Sequence, residues 1–164
     1  MVAAGFLGGC SPSSAGQPPP GPNGYPPAAE QSLNFQGALN AQVTTAYPKS
    51  CGAATGPSGE LFSFAAYFQS QGTWYIMFET DYVSRQYKGP GTYTVKAALD
   101  PAPDGPAGPI YSGSVQLTVT GYRADRWVGS VSGTLDWTGS TTEKAQVKIS
   151  GSWTCTPGPM TGPG

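Results

Sequence analysis

Alternation with a period of two runs through most of this 164-residue chain and limits it to β structure. The clearest stretch is 143–155. There Ala145, Val147, Ile149, Gly151, Trp153 and Cys155 fall on one face, and Lys144, Gln146, Lys148, Ser150, Ser152 and Thr154 on the other. Successive side chains of a strand point to opposite faces, so this pattern describes a strand with one side buried. Trp127, Val131, Leu135 and Trp137 repeat it within 126–138, and Val115, Leu117 and Val119 within the segment before. Upstream come Tyr93, Val95, Ala97 and Leu99; Trp74, Ile76 and Phe78; Phe62, Phe64, Ala66 and Phe68; and a run of Leu33, Phe35, Leu39, Ala41 and Val43. About seven strands result.

Gly72, Gly89-Pro90-Gly91, Asp104-Gly105-Pro106, Gly121 and Gly139-Ser140 separate these runs. They are turn-formers, and no segment carries a helical apolar period of useful length. Antiparallel sheets with one wet face, closed into a barrel or stacked in a sandwich, satisfy the pattern. The large inward residues suit a space about 10 Å thick between two sheets, so the expectation is an all-β, antiparallel β-sandwich of about seven strands spanning 30–156. It is not an immunoglobulin domain, because Trp153 rather than Tyr stands two residues before the second cysteine.

Outside that domain the composition changes. Residues 11–29 are rich in Pro, Ser, Gly and Ala and lack the apolar bulk to offset the entropy of ordering, so 10–29 reads as an extended linker. Residues 157–164 read as a flexible tail punctuated by Pro and Gly.

At the head of the linker lies Leu7-Gly8-Gly9-Cys10, preceded by the apolar run Val2-Ala3-Ala4-Gly5-Phe6. This motif resembles a bacterial lipobox. The resemblance covers about the first twenty residues and implies that Cys10 is acylated, that 1–9 is the remnant of a signal peptide whose true start lies upstream, and that the mature protein is anchored by lipid on the extracytoplasmic face of the cell membrane. The C-terminal strand ending in cysteine also resembles the layout of small actinobacterial lipoprotein antigens, and no residue role is carried over from them. With Cys10 carrying lipid, Cys51 and Cys155 remain as a pair in an oxidising compartment, where a disulfide is expected.

Charge and residue types narrow the function. Only 10% of residues are charged, against about 25% in ordinary soluble domains, and the eight Lys and Arg are scattered among acids. Nucleic acid, which is held by clustered cations, is therefore not an expected partner. Histidine is absent from the sequence, which removes the usual general base and the commonest metal ligand. No cofactor or metal is expected. Asp100 and Asp104 have oxygens to offer calcium, but they lie in a proline-rich turn and are read as structural. Glu79 and Asp81, two apart on a strand, form the one carboxylate pair suited to cleaving a glycosidic bond, and they define the rival reading of the chain as a carbohydrate-active enzyme.

Tyrosines on faces expected to be wet weigh more heavily. Tyr67 and Tyr75 lead, followed by Tyr122 beside Arg123, with Tyr82, Tyr87 and Tyr111 as further members. Exposed tyrosines stack on sugars and anchor protein partners. The expected role is thus binding of an envelope protein or glycan, or structural service in the envelope. An inhibitor or assembly factor is a third class.

Overall fold

The structure, a computed structural model, describes residues 29–56, 59–70, 72–80, 86–101, 110–139 and 145–156. Eight strands follow one another: β1 (Ala29–Gly37), β2 (Ala41–Gly56), β3 (Gly59–Gln69), β4 (Thr73–Glu79), β5 (Gly91–Pro101), β6 (Tyr111–Arg123), β7 (Arg126–Trp137) and β8 (Gln146–Cys155). Each pairs antiparallel with the next, and β8 pairs with β1, so the sheet is a closed up-and-down barrel.

The expected β-sandwich is therefore overturned. Inward and outward alternation is the same in both architectures; pairing between the first and last strands separates them. That pairing runs from Ser32↔Ser152 to Gly37↔Val147. Its closeness depends on Gly151, at φ +136°, where a Cβ would collide with the Ser32 carbonyl oxygen.

Eight strands replace seven because the run from Leu33 to Val43 contains a reversal. At this reversal Asn40 donates from Nδ2 to the Gly37 carbonyl (2.8 Å) and accepts from the Gly37 N–H (3.3 Å). Cys51, which falls in none of the period-two runs, lies inside β2. The inward phase of β2 shifts twice, which hides it from a period-two reading. Val43 and Ala46 are buried with Thr44 and Thr45 both exposed between them, and Pro48 and Cys51 are buried around Lys49 and Ser50. Register slips by one residue at each place, between Glu30 and Leu33 on the β1 side and between Pro48 and Ser50 on the β3 side. A proline within a paired strand is accommodated at such a bulge.

Eight strands enclose a bore about as wide as side chains can fill, and here they fill it. Trp153, fully buried, lies 5.6 Å from the Phe62 ring and 5.3 Å from that of Phe64; Phe64 stacks on Phe78 at 5.5 Å and Phe35 on Phe68 at 5.0 Å. Trp153 fits because Gly129, on the adjoining strand, has no Cβ; one built there would penetrate the indole and the Thr118 carbonyl. The bore is a packed core, which leaves the outer wall and the ends as the accessible surfaces.

Strand direction sorts the barrel into two ends. Ala29, Gly56, Gly59, Gly91, the turn Ala124–Asp125 and Cys155 lie at one, here called the entry end; Gly37, Ala41, Gln69, Thr73, Pro101, Tyr111, Trp137 and Gln146 lie at the other, the far end. At the entry end β1 leaves β8 early. Pairing with β8 begins only at Ser32, and β2 continues ten residues beyond Ala46, the partner of Ala29. Two devices close this seam. The Gln31 side chain imitates a backbone partner, with Nε2 donating to the Thr154 carbonyl (2.6 Å) and Oε1 accepting from the Thr154 N–H (3.2 Å). The second is the Cys51–Cys155 disulfide, with Cα atoms 6.0 Å apart, which links β2 to β8 across the place where β1 runs out.

Candidate functional site

Outward residues of neighbouring strands form rows across the wall when their register matches. One such row crosses four strands near the far end: Tyr47↔Tyr67, Tyr67↔Tyr75 and Tyr75↔Asp100 are direct cross-strand partners on β2, β3, β4 and β5. The Tyr67 and Tyr75 rings lie 5.0 Å apart at 42°. The bulge that interrupts β2 after Pro48 sets Lys49 over this pair, with Nζ 5.9 Å from the centre of the Tyr67 ring and 5.4 Å from that of Tyr75. Those separations suit attraction between the ammonium and the aromatic faces. Bulges are a common means of re-aiming a side chain beside a functional surface.

Asp100 ends the row. Burial pushes its carboxyl above the ordinary aspartate value, and its Oδ1 is buried without a hydrogen-bond partner. Desolvation penalises the charged form of a carboxyl so placed.

Beyond Tyr47, toward the far end, the wall opens into a shallow depression of about 200 Å³ lined by Gln42, Val43, Thr44, Thr45, Tyr47 and Gln69. The described residues lining it carry amides, hydroxyls and one phenol, and no charge. Gln69 is held in place by Thr73, its Nε2 donating to Thr73 Oγ1 at 2.9 Å.

The residues expected from sequence to form one surface divide into two. Tyr67 and Tyr75 share the row just described, and they face outward as read. Tyr67, however, is only 7% exposed, so that part of the wall is not wet; Tyr75 is half-buried. Tyr122 and Arg123 lie elsewhere, at the entry end on the β6–β7 hairpin, separated from β4 by β5. Tyr122 is half exposed, and its ring lies 5.4 Å from that of Trp127. Tyr87 and Tyr111, also expected on wet faces, are buried, and burial raises the pKa of both phenols, with neighbouring Tyr93 and Glu60 adding to the effect at Tyr87.

The expected chemistry-bearing groups fare unevenly. Glu79 lies on β4 opposite Ser63 on one side and Lys96 on the other, which gives it a compensating cation across the strand. Asp81, Tyr82, Asp104 and Cys10 lie outside the described residues. Among the described residues, no group of three or more His, Cys, Asp and Glu is placed to hold a metal ion.

Sequence reasoning missed Tyr47 and Lys49. Their signal was Tyr47-Pro48-Lys49, a proline inside a run of strand-formers, which marks a bulge as readily as a loop. Comparison with protein-family models, with curated proteins and with solved structures finds no match to this chain.

Proposed function

We propose that this protein is a lipid-anchored, extracytoplasmic barrel that binds a neutral envelope glycan on its outer wall and catalyses no reaction. The observation that carries the reading is the continuity of the tyrosine row with the uncharged depression beside Tyr47. Phenol edges and faces cover the apolar faces of sugar rings, while the amides of Gln42 and Gln69 and the hydroxyls of Thr44 and Thr45 match a sugar's hydroxyls. Among the described residues, a ligand bearing phosphate or carboxylate would find Lys49 alone as a cation there, already engaged with two rings. Acylation at Cys10 fits this arrangement, because Ala29 enters the barrel at the end opposite the site and leaves the site pointing away from the membrane.

The test uses the full chain and polysaccharide isolated from the envelope of the producing cell, with co-sedimentation as the readout. Tyr47→Ala and Tyr75→Ala should each weaken retention by about 2- to 10-fold, the equivalent of losing one aromatic contact of roughly 0.5–1.5 kcal/mol, and Glu79→Gln should leave it unchanged. Release of free sugars by the wild type, abolished in Glu79→Gln, would establish an enzyme instead. Full retention by both tyrosine variants would remove the wall from consideration.

A further inference from the structure

The β6–β7 hairpin has features that the glycan site does not use. Its two turn residues, Ala124 and Asp125, have φ of +46° and +61°. A two-residue turn of this hand fits the twist of a hairpin but favours Asn and Gly, and each non-glycine residue there carries a steric cost. The strained turn carries the exposed Arg123 and Arg126 as direct cross-strand partners, and one step further from the turn Tyr122, half exposed, pairs with Trp127, its ring 5.4 Å from the indole. This cluster sits at the entry end, where Ala29 begins β1.

We infer that this hairpin is a membrane-contact element that sets the barrel end-on upon an anionic phospholipid surface; the inference rests on the lipid anchor at Cys10 proposed above. A tyrosine with an apolar ring and a wet hydroxyl suits the headgroup layer, and long arginine side chains reach phosphates from a partly apolar position. The remaining described charges at this end are Glu30, Glu60, Lys88 and Asp125, so the described charges there balance. Intrinsic affinity for the surface is consequently small, and the tether makes it sufficient. Eighteen residues lie between Cys10 and Ala29, and the extended, proline-rich linker read from that sequence would reach at most about 60 Å. Attachment over such a span presents the hairpin to the bilayer at an effective concentration in the millimolar range, so a contact with millimolar affinity is substantially occupied.

The experiment uses the full lipidated chain in phosphatidylcholine vesicles, with and without phosphatidylglycerol, that contain lipids brominated near the headgroup end of the acyl chains. Tyr122→Trp places a reporter on the hairpin, and Thr134→Trp places one on the exposed wall of β7 toward the far end. Each is read as the loss of fluorescence beyond that of the wild type after circular dichroism has shown an unchanged fold. The tryptophan at 122 should be quenched and the one at 134 should not. Quenching at 122 should grow with phosphatidylglycerol and fall when Arg123→Ala and Arg126→Ala are added. Equal quenching at the two positions, or none at 122 in protein that floats with the vesicles, overturns the inference while leaving the anchor intact. Failure of the wild type to float with the vesicles, with no acyl mass on Cys10, overturns the anchor and this inference together.

Discussion

Removing the Cys51–Cys155 bond tests the account of how the barrel is closed. The two cysteines are 104 residues apart in sequence. A covalent loop of that length restricts the unfolded chain by about 4.7 kcal/mol in the chain-entropy model. A domain of this size loses roughly 0.27 kcal/mol of stability per degree near its midpoint. The expected drop in Tm for Cys51→Ala with Cys155→Ala is therefore about 17 °C at most, and less where the unfolded chain retains structure. Global stability is only half of the test. Because the bond spans the place where β1 has parted from β8, its loss should loosen the seam before the rest of the wall. Calorimetry of the oxidised protein and the double variant gives the first quantity. Hydrogen exchange gives the second, with the Ser152 and Thr154 amides on β8 compared with those of Val95 and Ala97 on β5. A Tm change below about 4 °C, or seam amides that keep the protection of β5 in the variant, would refute the staple.

Four further outcomes are expected. Cys10→Ser, expressed in a bacterium behind a functional lipoprotein signal, should move the protein from the detergent phase to the aqueous phase in a phase-separation assay; recovery of Met1 to Gly9 on an unacylated mature protein contradicts the lipobox. Ala124→Asn combined with Asp125→Gly should stabilise the barrel by about 1–2 kcal/mol in chemical denaturation, since both positions already have the conformation these residues favour. Gly129→Ala should destabilise by about 3 kcal/mol or more, read the same way, because neither the Trp153 ring nor the Thr118 carbonyl has room to withdraw. Asp100 holds its proton more tightly folded than unfolded, so its contribution to stability is complete below the ordinary aspartate value and is lost as pH rises through the raised one; Asp100→Asn should flatten the pH dependence of Tm in that window, and an unchanged profile would show that the carboxyl is solvated.

The sequence disclosed the β class, most inward residues of β3 to β8 and the cysteine pair, because each follows from residue type and a period of two. Closure was not legible. Nothing in the alternation of Leu33 and Phe35, or of Val147 and Ile149, says that these two strands meet, since the same faces would pack equally well across a sandwich. β2 was not legible because two shifts of register erase its period. The candidate site suffered from the same cause: Tyr67 and Tyr75 were recognisable as outward residues of regular strands, whereas Tyr47 and Lys49 belong to the bulged strand. The covering of Tyr67 depends on neighbours brought together only by the fold. Tyr122 and Arg123, adjacent in sequence to a turn, are both exposed; they lie away from the wall that carries Tyr67 and Tyr75, and only the order of strands separates the two surfaces.

The position of the disulfide also governs how the molecule would respond to mechanical load. Cys51 and Cys155 enclose β3 to β8 and the end of β2 in one covalent ring, and of the eight strands only β1 lies wholly upstream of it. Pulled between Ala29 and Cys155, the folded chain can unravel only as far as Cys51. That is about 22 residues, or roughly 75 Å of extension. Beyond that length force passes through the sulfur bridge, and the ring that contains Tyr67, Tyr75 and Asp100 lies outside the line of tension.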